Sequence, residues 1–227
     1  MKKKILTVCL IIALAATAIT GATLSFFTDQ DSAVNTFCMG NVDIQLVENF
    51  DPDEARNIVP GRNVNKDVFV TNTGSNDAYV RVHIAVPAAM DNGNFLHLDF
   101  TEESVAEGKW RWNSEPAASR YLYAAEIDGT AYHVYVATYG TALKSGEMTE
   151  EVITNVYLDQ GVDGNVHADG TVTYTDGRGN EITMEPADTF DIPVYAQAVQ
   201  AEGFEDAEAA FASAYGIPSG DNNPWRS

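Results

Sequence analysis

Residues 78–86, Ala-Tyr-Val-Arg-Val-His-Ile-Ala-Val, alternate with a period of two. Val80, Val82, Ile84 and Val86 fall on one side and Tyr79, Arg81 and His83 on the other, the pattern of a strand with one buried face. A helix would scatter these side chains around its axis. The period recurs in residues 41–46, where Val42, Ile44 and Leu46 share a face, and in residues 66–71, 120–127, 132–138, 151–158 and 190–199. Pro193 in the last of these marks an edge strand or a bulge.

Turn formers divide the strands. Asn-Thr-Gly-Ser-Asn-Asp at 72–77 lies between two alternating runs, so residues 66–86 fit a hairpin. Asp128-Gly129 is the strongest short hairpin signal in the chain. Asp169-Gly170 and Asp176-Gly177 bracket Thr-Val-Thr-Tyr-Thr, a polar hairpin region inserted at one end. Residues 91–118 lack strong alternation and fit a long loop with a helical turn near Glu102 and Glu103. Residues 204–215 carry helix formers with Phe204, Ala207, Phe211 and Tyr215 on one face, acids in the first turn, and Gly216 as a stop. These elements predict an all-β sandwich with a short C-terminal helix and irregular insertions. Residues 26–216 form one domain, and residues 217–227 a flexible tail.

The chain opens with Lys2, Lys3 and Lys4, followed by ILTVCLIIALAATAITGA without a charge. That is a basic region and an apolar region of an export signal, residues 1–25. Thr23 and Ser25 supply small residues for cleavage between Ser25 and Phe26. Removing the three lysines takes the formal charge from −20 to −23. Such a chain repels phosphate backbones, which excludes nucleic acid as a partner, and it meets a membrane only during export. Once Cys9 is removed with the signal, Cys38 is the one cysteine left, so no intrachain disulfide forms.

The stretch GATLSFFTDQDSAVNTFCMGNVDIQL resembles the N-terminal signature of the TasA/camelysin family, exported proteins cut by a SipW-type signal peptidase. The family's aromatic-rich segment ending in Asp corresponds to Phe26, Phe27 and Asp29. Its Phe-x-x-Gly-x-x-Asp-hydrophobic-x-Leu strand corresponds to Phe37, Gly40, Asp43, Ile44 and Leu46. Val-Pro-Gly-Arg-Asn-Val-Asn-Lys-Asp at 59–67, Thr-Asn-Thr-Gly at 71–74 and the strand at 79–82 are similar to the family as well. The resemblance implies a jelly-roll-like sandwich, secreted and extracellular or cell-surface associated. It also implies self-association, or association with related matrix proteins, as biofilm fibres. In fibre-forming relatives the freed N-terminal segment inserts as a strand into the next subunit, the mode called β-strand addition. The assembly-strand residues here are Phe26, Phe27, Asp29 and Phe37. The C-terminal end, Asn-Asn-Pro-Trp-Arg-Ser, carries no covalent wall-anchor motif.

The resemblance also brings a metallopeptidase label. Zinc peptidases commonly carry H-E-x-x-H, two histidines one helical turn apart with a catalytic Glu. His83, His97, His133 and His167 show no such spacing, and neither a G-x-S-x-G elbow nor a phosphate loop is present. The sequence therefore leans away from catalysis, with no catalytic residue and no cofactor. Asp159, Asp163, Asn165 and Asp169 are the candidate calcium ligands, although their spacing departs from an EF-hand loop. The alternatives are a camelysin-like metalloendopeptidase and a non-fibrous adhesin, the latter motivated by Trp110, Trp112, Tyr121 and Tyr123 as a glycan-binding face.

Overall fold

A computed structural model describes residues 28–32, 42–55, 58–101, 109–114, 120–185 and 190–226. The expected signal peptide lies outside them, as does the helical turn expected at 102–108.

Thirteen strands follow in order among the described residues: β1 (Thr28–Ser32), β2 (Ile44–Phe50), β3 (Val64–Asn72), β4 (Ala78–Pro87), β5 (Leu96–Phe100), β6 (Trp110–Trp112), β7 (Tyr123–Ile127), β8 (Thr130–Tyr139), β9 (Ile153–Leu158), β10 (Asp163–Val166), β11 (Val172–Thr175), β12 (Glu181–Met184) and β13 (Val194–Gln200). Among the described residues three short helices accompany them: α1 (Pro52–Ala55), α2 (Ala88–Asn92) and α3 (Ala207–Ala214). The first large sheet runs β1-β13-β4-β8, with β6 and β7 end to end along the far edge of β8. The second runs β2-β3-β9-β5, and β10-β11-β12 make a small third sheet. Every strand pairing is antiparallel. The chain is all-β with little helix, as its alternation requires.

One cluster of buried side chains joins the two large sheets. Val42, Ile44, Val64, Val68 and Val70 come from the β2–β3 side, and Val80, Val82, Ile84, Ala196 and Ala198 from β4 and β13. Each set is every second residue of its strand, so the pleat alone directs it inward. β4 also buries its opposite face. Val199, Ala210 and Phe211 form one patch there, and Ala85, Tyr123, Tyr132, Val134 and Val136 a second, with Trp225 packed against it. The expectation of one buried face on residues 78–86 is thus corrected: α3 and residues 215–226 cover the other.

The expected hairpin at 66–86 is corrected too. β3 pairs with β2 and β9, while β4 pairs with β13 and β8, so residues 73–77 cross between sheets rather than turn within one. Asn72, fully buried, organises the crossing. Its Nδ2 donates to Asn76 O at 2.9 Å and Leu143 O at 2.8 Å, and its Oδ1 accepts from Gly74 N at 3.0 Å. Asn72→Ala strands two carbonyls and an N–H, so it should lower the unfolding free energy by about 2 kcal/mol. Urea denaturation measures this; a change within about 0.5 kcal/mol, the usual range for surface sites, would remove the role assigned to Asn72.

Other turns follow the sequence closely. Asp128 and Gly129 take φ of 49° and 82°, joining β7 to β8 with Ile127 opposite Thr130. Pro60 precedes Gly61 at φ 74°, and Arg62 N bonds Val59 O at 3.0 Å, closing a turn that needs glycine in its third place. Asp206 caps α3 by accepting from Ala209 N at 2.8 Å. Residues 91–118, expected as a loop, instead contribute the end of α2 and the short strands β5 and β6.

Candidate functional site

The sequence placed assembly in the N-terminal segment. Ser25, Phe26, Phe27 and Phe37 lie outside the described residues, and Asp29 lies within β1, opposite Ala198. β1 is the outermost strand of its sheet and pairs with β13 over five residues, Thr28 opposite Val199 through Ser32 opposite Tyr195. Its residues, Thr-Asp-Gln-Asp-Ser, include no apolar type, so main-chain hydrogen bonds are what the strand itself offers. The facing residues of β13, Tyr195 to Val199, are all buried. Without β1, β13 would present a row of unpaired N–H and C=O groups flanked by apolar side chains, an edge that recruits another strand.

On the outer face of the same sheet, Arg81 and His83 of β4 meet Gln197 of β13. Gln197 Oε1 accepts from Arg81 Nε at 3.1 Å and from Arg81 Nη2 at 2.6 Å, and lies 3.1 Å from His83 Nε2. A carbonyl oxygen can only accept, so the His83 proton sits on Nε2. Nδ1 then accepts from Tyr123 OH at 2.8 Å, which leaves the ring neutral. Burial first, and the Arg81 charge second, press the His83 pKa down to about 3, against the opposing Gln197 bond. Burial also brings Arg81 down to about 10 and pushes the Tyr123 phenol up. Arg81 remains charged at neutral pH, 4.4 Å from the centroid of the Phe211 ring.

The other histidines are dispersed. His97 Nε2 lies 3.0 Å from Asp159 Oδ2, with its ring stacked on Tyr157. His133 Nδ1 lies 2.6 Å from Asp91 Oδ2, stacked on Tyr121, and Tyr135 OH donates to the same carboxylate. His167 Nε2 is 2.8 Å from Thr173 Oγ1 in the third sheet. Among the described residues no three His, Cys, Asp or Glu side chains gather to hold a metal ion. Both ring nitrogens of His83 are already engaged. The described residues therefore do not fit a zinc site of three protein ligands.

The calcium candidates each serve a separate stretch. Asp159 accepts from Gly161 N at 2.8 Å and from Asn94 Nδ2 at 3.1 Å. The Gly161 amide is the main cause holding its carboxyl below the usual range. Asp163 accepts from Gly164 N, and Asn165 lies within β10. Asp169 closes the turn beyond that strand by accepting from Thr171 N and Oγ1. Four strand residues separate the two ends of β10, about 10 Å or more, so Asp163 and Asp169 stand at opposite ends of it.

The aromatic face proposed for an adhesin is also differently used. Trp110 is fully buried, Trp112 and Tyr123 nearly so, and only Tyr121 is exposed. The Trp110 and Trp112 indoles donate to Glu150 O and Thr101 O, each at 2.9 Å. These rings are core, anchored by their polar edges.

Sequence reasoning missed the Arg81–His83–Gln197 cluster, because Arg81 and His83 sit on what looks like the polar face of a strand. The one available signal was an Arg and a His on a strand beside a C-terminal segment rich in aromatics, Tyr215 and Trp225.

Residues 1–102 match the family model described as camelysin metallo-endopeptidase, whereas no curated protein and no solved structure matches the chain. Within that span the motifs that carry the resemblance have structural employment. Pro60-Gly61 makes a turn, Asn72 ties a crossover, and Tyr79 to Val82 start β4. Over residues 1–102, a little under half of its length, the chain is similar to the camelysin family.

Proposed function

We propose that this chain is an exported, non-catalytic extracellular protein of biofilm-matrix type that assembles by donating β1 to the β13 edge of a second copy. The observation that carries the reading is β1 itself, an outermost strand without apolar residues whose pairing lies along one neighbour, β13. A second copy's β1 can take the same register, so exchange replaces each main-chain bond with an identical one. Phe26 and Phe27, just ahead of the strand, supply the apolar anchors that β1 lacks. Release by a SipW-type peptidase would free that end at Phe26 and couple export to assembly.

Electron microscopy of the chain beginning at Phe26, beside a chain lacking residues 26–33, tests this. The longer chain forms ordered fibres and the shorter one does not. A synthetic peptide of residues 26–33 should bind the shorter chain, which separates loss of assembly from loss of folding. A longer chain that stays monomeric under all conditions, or a shorter chain that still forms the same fibres, would overturn strand donation.

A further inference from the structure

A cavity of about 210 Å³ lies beneath residues 215–226 on the outer face of the first sheet, lined by Arg81, His83, Gln197, Asn222, Asn223 and Arg226 among others. Among the described residues no Asp or Glu belongs to that lining, in a chain with 33 acidic side chains against 13 basic ones. Arg81 is 5 % exposed and its Nε and Nη2 are both spent on one amide oxygen. Its Nη1 has no protein acceptor among the described residues, nor does the Gln197 amide nitrogen. Neither atom is sealed off, so both remain able to donate. Phe211 offers Arg81 a ring face but no anion.

A buried guanidinium without a carboxylate is costly unless something neutralises it. Arg226 stands at the rim in an open surface pair with Asp221, so among the described residues Arg81 is the one buried charge in the lining. The charge balance therefore selects a monoanion. The Arg81 fork and the adjoining Gln197 amide suit a planar carboxylate. The volume falls below the roughly 300–1,000 Å³ of pockets for drug-sized ligands, which selects a small acid rather than a peptide segment or a glycan.

We propose that this cavity binds a small monocarboxylate, held by Arg81 from the sheet and by Arg226 from the C-terminal segment. The carboxylate ties residues 215–226 to β4 and β13, so the ligand reinforces the cover over β13, the strand that pairs with β1. The site lies within one subunit, and its failure would leave the assembly reading untouched.

The test is a titration of the monomeric chain with propionate at constant ionic strength. It is followed by the NMR signals of the Trp225 indole and the Arg81 Nε–H. Trp225 packs 6.2 Å from the His83 ring and reports on the same cover. Propionamide, of the same shape without the charge, and inorganic phosphate serve as comparison probes. We expect saturable shifts with propionate, none with propionamide, and weaker binding of phosphate. Arg226→Gln, at an exposed rim position, should weaken propionate roughly tenfold, the loss of one charged contact. Arg81→Met should abolish binding, and if that variant does not fold, Arg226→Gln alone decides. Absence of a saturable shift, equal shifts with propionamide, tighter binding of phosphate, or an unchanged affinity in Arg226→Gln would each overturn the proposal.

Discussion

Replacing Trp110 by alanine should lower the unfolding free energy by about 3–5 kcal/mol, the range for removing a large buried aromatic. Trp110 lies on β6, a strand of only three residues, opposite Tyr139 of β8. So short a strand has few ladder bonds to hold it. Its side chains must supply the rest, and Trp110 does so twice. The ring packs edge-on to Tyr139 with centroids 5.2 Å apart, and the indole N–H donates to Glu150 O. Alanine leaves a cavity and an unpaired carbonyl in one step. Trp110→Phe keeps much of the ring contact and should cost markedly less, with the lost indole bond as its main term. Urea denaturation of both variants gives the comparison. A loss under about 1.5 kcal/mol for Trp110→Ala would mean that the indole is not core, and would revive an exposed aromatic face for ligands.

Trp110 also shows where sequence reading stops. The run Trp-Arg-Trp alternates, but over three residues the period is too short to separate from chance, so residues 91–118 look like a loop. The alternation in longer runs was legible because it is imposed by a buried face. What alternation cannot tell is which strand lies alongside, and β3 and β4 are the instance. The turn formers at 73–77 are real, yet the chain uses them to pass from one sheet to the other, with Asn72 making the bonds a hairpin ladder would have made. Turn chemistry is local, and sheet membership is decided by packing across the core.

The C-terminal segment carries the same lesson for the site. Residues 217–227, rich in Pro, Gly, Asn and Ser, suggest a flexible tail. Yet Asn222 Nδ2 donates to Tyr215 O and Ile217 O, Trp225 N bonds Asn223 Oδ1, and the Trp225 ring sits against His83 and Tyr195. A few side-chain-to-backbone bonds and one tryptophan set this placement, and neither leaves a periodic trace. Because the cover was not legible, Arg81 and His83 looked solvated. Their strand was read correctly and their environment was not.

That environment makes the stability of the chain depend on pH in a way a surface histidine would not. His83 is neutral in the fold with its pKa near 3, while in the unfolded chain it returns to about 6.5. Between those values the unfolded chain holds one more proton than the folded one, so stability rises with pH across the window and falls as pH drops through it. The stabilisation is fully present above pH 6.5 and is lost as the solution approaches pH 3. The slope for one proton is about 1.4 kcal/mol per pH unit, so moving from pH 7.5 to 4.5 should remove about 2–3 kcal/mol through His83 alone. Carboxylates add their own pH dependence, so the decisive quantity is a difference between variants. His83→Gln preserves both bonds, since its oxygen can accept from Tyr123 OH and its amide can donate to Gln197, but it carries no titrating group. Urea denaturation at pH 7.5, 6.0 and 4.5 should therefore show the variant losing about 2–3 kcal/mol less than the parent over that range. Parallel curves would mean that His83 takes up a proton in the folded chain. The neutral ring and the Nε2 tautomer assigned from Gln197 and Arg81 would then be wrong.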